Sequence, residues 1–231
     1  MNVQEATTRR LPDLKERHLP ENCRETINTI LKETYGYEQF RNLEIYDDLS
    51  KGKEKLCISQ GQLIENVILE AEKAWKGETQ VDNILLTAPT GSGKSLLFQL
   101  PAIYLGKEYN LLTIVVSPLK ALIVDQVESL QELGYMRVAY ASSDLSPEQK
   151  MEVYRQVREG EIDLFYLSPE LLLSYDIKHF VGERRIGLVV VDEAHTVTTW
   201  GKEFRVDYWF LGRYLTALKQ TLGYNFPLFA L

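Results

Sequence analysis

The sequence has little cysteine and no long apolar run, and each absence excludes a class of protein. Its two cysteines, Cys23 and Cys57, lie apart from each other and from any histidine cluster, so neither a disulfide framework nor a zinc site is predicted. No stretch approaches the roughly 18 apolar residues of a membrane span, and residues 1–10 lack the apolar core of a signal peptide. We therefore expect a cytoplasmic protein with no membrane partner.

Basic residues are outnumbered by acidic ones. Lysine and arginine total 26 against 33 aspartates and glutamates, and the net charge of −7 argues against a polycation that coats nucleic acid through bulk charge. Any contact with nucleic acid must therefore be local. With 45% hydrophobic and 26% charged residues the composition is globular, and 231 residues fit one sizeable domain, with or without a smaller appendage.

The chain divides into a polar start and a remainder of apolar runs. Up to about Lys55 it is rich in charge, with one helix-like stretch at 21–34, which predicts a small helical N-terminal appendage over residues 1–58; a partly disordered leader is the alternative. Continuous apolar runs joined by helices predict strands covered on both faces. Residues 59–231 are therefore predicted to form an α/β domain, with a mainly parallel sheet and helices on both faces. The predicted strands are 84–87, 111–117, 137–141, 162–168, 186–191 and 226–231.

A glycine-rich segment joins the first of these strands to a helix that begins at Leu96. It reads Ala88-Pro89-Thr90-Gly91-Ser92-Gly93-Lys94-Ser95. Strand, loop and helix in this order are typical of the phosphate-binding P-loop, in which glycines let backbone N–H groups converge on phosphate oxygens at a helix N-terminus. Lys94 is predicted to reach the β- and γ-phosphates, and Ser95 to ligate Mg²⁺. Ala88 replaces the first glycine of the motif, and a glycine-rich turn with a solvated lysine is the alternative. The nucleotide-binding residues predicted here are Thr90, Gly91, Ser92, Gly93, Lys94 and Ser95.

An acidic pair follows the apolar strand at 186–191. The strand ends in Asp192-Glu193-Ala194-His195, and ligand sites of parallel sheets lie beyond the carboxyl ends of the strands. Asp192 is predicted to hold Mg²⁺, and Glu193 to orient and deprotonate an attacking water. The alternative is a helix cap followed by a glutamate in the first turn. Together with the P-loop, the pair predicts ATP hydrolysis, with Lys94, Asp192, Glu193 and His195 as the catalytic set; a P-loop kinase is a further alternative.

Further segments resemble the motifs of one group of superfamily 2 helicases, the RecQ-like group. The Asp-Glu-Ala-His tetrad after a P-loop is shared with that superfamily as a whole. Four other segments narrow the resemblance to RecQ-like proteins, over the part of the chain from about Tyr35 onward. They are Tyr35-Gly36-Tyr37-Glu38-Gln39-Phe40-Arg41, Ser117-Pro118-Leu119-Lys120-Ala121-Leu122, Leu164-Phe165-Tyr166-Leu167-Ser168-Pro169-Glu170 and Thr199-Trp200-Gly201-Lys202-Glu203-Phe204-Arg205.

The resemblance implies a RecA-like lobe that uses ATP and Mg²⁺ to drive 3′-to-5′ unwinding of DNA, with single-stranded or forked DNA as its partner. By the same resemblance, Phe40, Arg41 and a later glutamine contact adenine. Glu44 stands where the family has that glutamine, so we infer a charge-rich insertion that displaces the adenine-binding glutamine to Gln62. The alternative is that Gln62 is an ordinary polar residue of a helix. The resemblance also assigns nucleic-acid contacts to Ser117, Lys120, Trp200, Phe204 and Arg205.

The chain ends at Leu231, where the family's Ala-Leu-Thr-Ala-Thr motif would begin. We therefore expect a fragment of a longer protein whose second RecA-like lobe is missing here, and we expect no unwinding by this lobe alone. Two alternatives stay open. One is an ATP-gated nucleic-acid-binding module without productive hydrolysis, and the other is an RNA helicase, because contacts with phosphate and sugar do not by themselves distinguish the two nucleic acids.

Overall fold

The computed structural model describes residues 16–46, 55–87, 91–194 and 206–231. Among these residues, eight helices and eight strands alternate along most of the chain. The helices are α1 (Glu21–Tyr35), α2 (Gln60–Trp75), α3 (Leu96–Tyr109), α4 (Lys120–Glu132), α5 (Pro147–Arg158), α6 (Pro169–Ser174), α7 (Ile177–Val181) and α8 (Val206–Leu222). The strands are β1 (Asn42–Tyr46), β2 (Lys55–Ser59), β3 (Ile84–Leu85), β4 (Leu112–Val116), β5 (Val138–Ala141), β6 (Leu164–Leu167), β7 (Ile186–Val191) and β8 (Leu228–Ala230).

Six strands form one sheet in the order β3-β8-β7-β4-β6-β5, and every neighbouring pair is parallel. All six strands predicted from the apolar runs are present, with ends shifted by up to two residues. The central strands are apolar at nearly every position because both faces of the sheet are covered. In β4, for example, all five residues are buried.

Two hydrophobic cores lie on opposite faces of this sheet. Along β4, Val115 belongs to the first core and Ile114 to the second, since successive side chains of a strand point to opposite faces. Helices α1 to α4 cover the first face, and α5 to α8 cover the second. The prediction of a mainly parallel α/β sheet with helices on both faces is therefore confirmed.

The N-terminal region contains more than the predicted helix. Helix α1 is present, but β1 and β2 form an antiparallel hairpin, with Asn42 opposite Ser59 and Tyr46 opposite Lys55. The purely helical description of residues 1–58 is therefore corrected, because the charge-rich insertion includes two strands. Buried residues of α1 share the first core with α2 and α3. The division of the chain after residue 58 stays a prediction.

A buried carboxylate ties α2 to the segments beside it. Glu70 accepts hydrogen bonds from Arg17 at 2.5 Å, from Lys73 at 3.0 Å and from the Asp82 amide at 2.8 Å. Burial by itself raises the pKa of Glu70, but the bonds from Asp82, Lys73 and Arg17 outweigh burial and lower it. The ionised form of Glu70 therefore holds this part of the fold together.

The helices in the described ranges are too short or too polar to cross a bilayer.

Candidate nucleotide-binding site

The sheet brings the glycine-rich loop and the acidic pair to the same edge. The loop follows β3, and Asp192 follows β7; both strands are parallel, so both carboxyl ends face this edge. The two strands are separated by β8, which pairs with each of them. Hydrogen bonds continue the pairing beyond the strands, from the Leu86 amide to the Ala230 carbonyl at 2.9 Å and from the Ala194 amide to the Leu231 carbonyl at 2.7 Å.

The described part of the loop has the backbone conformation that a phosphate cradle needs. Gly91 and Gly93 have φ of +81° and +77°, a region that other residues rarely adopt. Helix α3 then begins at Leu96, so the loop lies at a helix N-terminus, where unpaired N–H groups favour anions. The hydroxyl oxygen of Ser92 is buried but has no hydrogen-bond partner in the described residues. An orphaned polar atom in this position fits a bound phosphate group. Thr90 lies outside the described residues.

Gln60, which the sequence interpretation missed, joins this loop to the segment that contains Arg41. Its side chain is 3% exposed; Nε2 donates to the Ser92 carbonyl and Oε1 accepts from the Arg41 amide, both at 3.2 Å. A Cβ on Gly93 would lie 2.7 Å from the same Nε2. The helical spacing of Gln60 with the buried Leu63, Ile64 and Val67 could have revealed it, because these positions share one face of α2.

The segment predicted to bind adenine lies beside a cavity of about 250 Å³. The half-buried ring of Phe40 contacts Gly61, where a Cβ would lie 2.6 Å from the ring, and the guanidinium of Arg41 lies 5.9 Å from the ring centre of Tyr37. Gln62 also lines the cavity, and its Nε2 donates to the carbonyl of Arg17 at 2.7 Å. The structure therefore places Phe40 and Gln62 at one cavity, while Gln60 is the glutamine that contacts the phosphate loop.

Asp192 is buried at the end of β7, with 5% of its surface exposed. Its Oδ1 accepts from the Glu193 amide at 3.0 Å, and its Oδ2 accepts from the Ser117 hydroxyl and the Gln126 amide, each at 3.4 Å. Burial raises the pKa of the Asp192 carboxyl and the charge of Glu193 adds to this, while the Glu193 amide, Gln126 and the charge of Lys94 oppose the rise. The opposing charge of Lys94 agrees with the placement of the loop and the acidic pair at one edge of the sheet.

Glu193 has φ of +54°, one of two positive values among described residues other than glycine. Such a backbone is unfavourable for a residue with a Cβ and is found mostly where the surrounding structure enforces it. Here the Asp192 amide donates to the Val116 carbonyl at 2.9 Å and the Ala194 amide to Leu231, so the chain is held on both sides of Glu193. The turn leaves the half-buried Glu193 carboxylate next to Asp192.

The residues predicted to contact nucleic acid have different surroundings. Ser117 is fully buried and donates to Asp192, so the predicted contact of its hydroxyl with a nucleic-acid backbone is not supported by this geometry. Lys120 is exposed at the start of α4, where Nζ contacts Ser143 and lies 2.9 Å from Asp144 Oδ1. His195, Trp200, Phe204 and Arg205 lie outside the described residues.

A parallel α/β sheet with a glycine-rich loop before a helix, and with an acidic pair at the same sheet edge, defines a P-loop nucleotide-binding domain. The family described as DEAD/DEAH box helicase matches residues 63–223, which is more than half of the chain. The chain therefore belongs to the DEAD/DEAH box helicase family.

Relatives within this family support the resemblance to RecQ helicases. The chain is 30% identical over 187 residues to the ATP-dependent DNA helicase RecQ of Haemophilus influenzae, and 34% identical over 202 residues to that of Synechocystis sp.. These matches cover 81% and 87% of this chain but only 25% and 35% of the relatives. The chain thus spans about a quarter to a third of the length of these curated proteins.

Two crystal structures share the fold of the chain. One is the DUF1998 helicase MrfA bound to DNA and AMPPNP, with a TM-score of 0.58 and 21% identity over 93% of this chain and 26% of that protein. The other is the UvsW helicase from bacteriophage T4, with a TM-score of 0.51 and 16% identity over 95% of this chain and 62% of that protein. At these identities the likeness is one of fold, and it confirms the RecA-like lobe.

Proposed function

We propose that this chain is the ATP-binding lobe of a RecQ-like DNA helicase that binds single-stranded or forked DNA and couples hydrolysis of ATP to 3′-to-5′ unwinding of duplex DNA. The observation that carries the proposal is that the glycine-rich loop after β3 and the acidic pair after β7 lie at the same edge of the parallel sheet. Most helicase relatives are several times longer than this chain, so unwinding is proposed for a protein that also has a second RecA-like lobe.

In this proposal the loop from Gly91 to Ser95 binds the phosphates through backbone N–H groups, and Lys94 adds a positive charge. The orphaned hydroxyl of Ser92 gains a partner when a phosphate lies in the loop. Phe40, Arg41 and Gln62 are proposed to surround the base, with Gln60 holding their segment to the loop. Thr90 and His195 are assigned to the same site by the sequence motifs alone.

Ser95 and Asp192 are the groups proposed to hold Mg²⁺. No cluster of three or more His, Cys, Asp or Glu side chains able to hold a metal ion occurs in the described ranges. A site with one carboxylate and one hydroxyl suits Mg²⁺, which often takes its remaining ligands from nucleotide phosphates and water. When bound, the ion neutralises phosphate charge. Glu193 is proposed to orient the attacking water and to accept its proton.

On the nucleic-acid side, the contacts proposed are Lys120 from α4 and Trp200, Phe204 and Arg205 after the acidic pair. Aromatic side chains with interleaved cations suit base stacking and phosphate contacts in single strands. Lys120 also forms an exposed ion pair with Asp144 at 2.9 Å, so a phosphate would compete with this carboxylate for the ammonium group.

The proposal is tested with Glu193→Gln and with Glu132→Gln as a matched control at an exposed position on α4. Binding of a fluorescent ATP analogue is measured with this chain, and ATP turnover with the full-length protein. We expect Glu193→Gln to keep nucleotide binding and to stop turnover, because only the water-orienting group is lost. Turnover near the wild-type rate would show that the base is misassigned. Absence of turnover in the wild-type protein would favour the ATP-gated binding module, and stimulation by single-stranded RNA alone would favour an RNA helicase.

A further inference from the structure

A chain of buried and partly buried hydrogen bonds connects Asp192 to the far end of α1. Gln126 on α4 donates to Asp192 Oδ2 at 3.4 Å, and the Tyr166 hydroxyl on β6 donates to Gln126 Oε1 at 3.1 Å. Gln99 on α3 donates to the Tyr166 hydroxyl at 3.3 Å, and Tyr35 at the end of α1 donates to Gln99 Oε1 at 3.3 Å. Four side chains from four different elements thus lead to one carboxylate.

All the bonds in this chain point the same way. Each hydroxyl or amide group donates to the next group nearer Asp192, and the last donor meets the carboxylate. Burial raises the pKa values of Tyr35 and Tyr166, so both hydroxyls keep their protons and remain donors. A negative charge at one end favours this direction, since hydrogen bonds in series polarise one another.

The direction also fixes the orientation of the Gln126 amide. If the amide were turned over, its oxygen would face the carboxylate and its nitrogen would face the Tyr166 hydroxyl. The first of these contacts is repulsive, and the second requires the hydroxyl to turn its proton away from Gln126. Tyr166 is fully buried and also accepts from Gln99, so its position is fixed from the other side.

We propose that Gln126 is a positioning residue that orients Asp192 for Mg²⁺, and that Tyr166 and Gln99 hold Gln126 in the orientation that donates to this carboxylate. The inference rests on the proposed function, in which Asp192 holds the ion. The groups that donate to a metal-binding carboxylate orient it, and their removal typically costs about 10–100-fold in metal affinity or activity. Gln126 lies six residues after Lys120 on α4, so the same helix carries a proposed nucleic-acid contact and a contact with the proposed metal ligand.

The test compares nucleotide binding by this chain in excess Mg²⁺ and in EDTA, using a fluorescent ATP analogue as the probe. The quantity measured is the dissociation constant in EDTA divided by the dissociation constant in Mg²⁺. This ratio reports how much Mg²⁺ improves nucleotide binding. We expect Gln126→Met to lower this ratio by about tenfold and to leave the affinity in EDTA unchanged, because methionine keeps the length of the side chain and removes both hydrogen bonds. Tyr166→Phe keeps the buried ring and should lower the ratio less, by about threefold.

Two further variants separate the possible outcomes. Gln131→Met makes the same change further along α4, at a half-buried position outside the chain of bonds, and should leave the ratio unchanged. Asp192→Asn should abolish the benefit from Mg²⁺.

If Asp192→Asn lowers the ratio and Gln126→Met does not, the positioning role is overturned while the proposed function stands. If Asp192→Asn has no effect, the proposed metal site is wrong and the inference falls with it. If Gln126→Met loses affinity equally with and without Mg²⁺, the role of Gln126 is merely structural. The same conclusion follows if both Tyr166→Phe and Gln126→Met keep the full benefit from Mg²⁺.

Discussion

Replacing Gln60 with methionine should remove two hydrogen bonds that hold the phosphate loop, without leaving a cavity in the core. The methionine side chain is close to glutamine in length and unbranched, so it fills the same buried space. It cannot donate to the Ser92 carbonyl or accept from the Arg41 amide, the two bonds of 3.2 Å that Gln60 makes. Both partners would then lack a side-chain contact that now holds them.

The size of the effect follows from these two bonds. Each neutral hydrogen bond contributes about 0.5–1.5 kcal/mol net, so the free energy of unfolding should fall by about 1–3 kcal/mol. For a domain of this size this lowers Tm by about 2–4 °C per kcal/mol. The bond to Ser92 acts directly on the loop, and its loss, at about 1 kcal/mol, should weaken nucleotide binding about fivefold.

Binding of a fluorescent ATP analogue and thermal unfolding measure the two effects. Gln131→Met is the matched control, since Gln131 is a half-buried residue on α4 and takes no part in these two hydrogen bonds. We expect it to leave nucleotide affinity unchanged. An equal loss of affinity in the two variants would refute this reasoning.

Three other changes have clear expected results. Lys94→Ala should weaken ATP binding by about 10–100-fold in the same fluorescence assay, because a charged hydrogen bond contributes about 1.5–3 kcal/mol; unchanged affinity would contradict the assignment of the phosphate loop. Gly106→Ala should lower the free energy of unfolding, measured in urea, by about 3 kcal/mol, since the alanine Cβ would overlap the buried carboxylate of Asp163. Gly212→Ala is the control: the space around Gly212 is open, so this change should be neutral or stabilising. The hydrogen bonds of Glu70 outweigh burial and lower its pKa from the ordinary value of a glutamate. Its contribution to stability should therefore be complete above that ordinary value and lost as pH falls through the lowered pKa. The free energies of unfolding of wild type and Glu70→Gln, measured in urea, should converge in acid, and a constant difference would be inconsistent with this linkage.

Strands and the phosphate loop could be predicted because their signals are local. Apolar runs such as 186–191 mark a buried parallel strand without reference to any partner, and the Gly-x-Gly-Lys-Ser run carries its own backbone requirement. The strand order could not be read in this way, and β8 was not expected to separate the loop from the acidic pair.

The sequence interpretation failed where a role depends on contacts between distant segments. The hairpin of β1 and β2 was missed because its two strands are only five residues long and lie in a charge-rich part of the sequence, although Leu43 and Ile45 alternate with polar residues in β1. Ser117 was predicted to contact nucleic acid, yet it directly follows the buried strand β4, and its hydroxyl donates to Asp192, which lies 75 residues further along the chain. Gln60 was not singled out: its spacing places it on the buried face of α2, but its bond to the Ser92 carbonyl joins segments 32 residues apart.

The position of β8 between β3 and β7 has a consequence for the order of folding. The phosphate loop follows β3 and the acidic pair follows β7, and these two strands do not pair with each other. The strand between them, β8, comes after both in the sequence, and its Ala230 pairs with Leu85 of β3. Contacts between residues so far apart along the chain form late, because a large loop must close before they contribute. During synthesis the phosphate loop therefore leaves the ribosome long before the strand that brings it into register with the acidic pair. The nucleotide site is expected to be among the last parts of this lobe to become native.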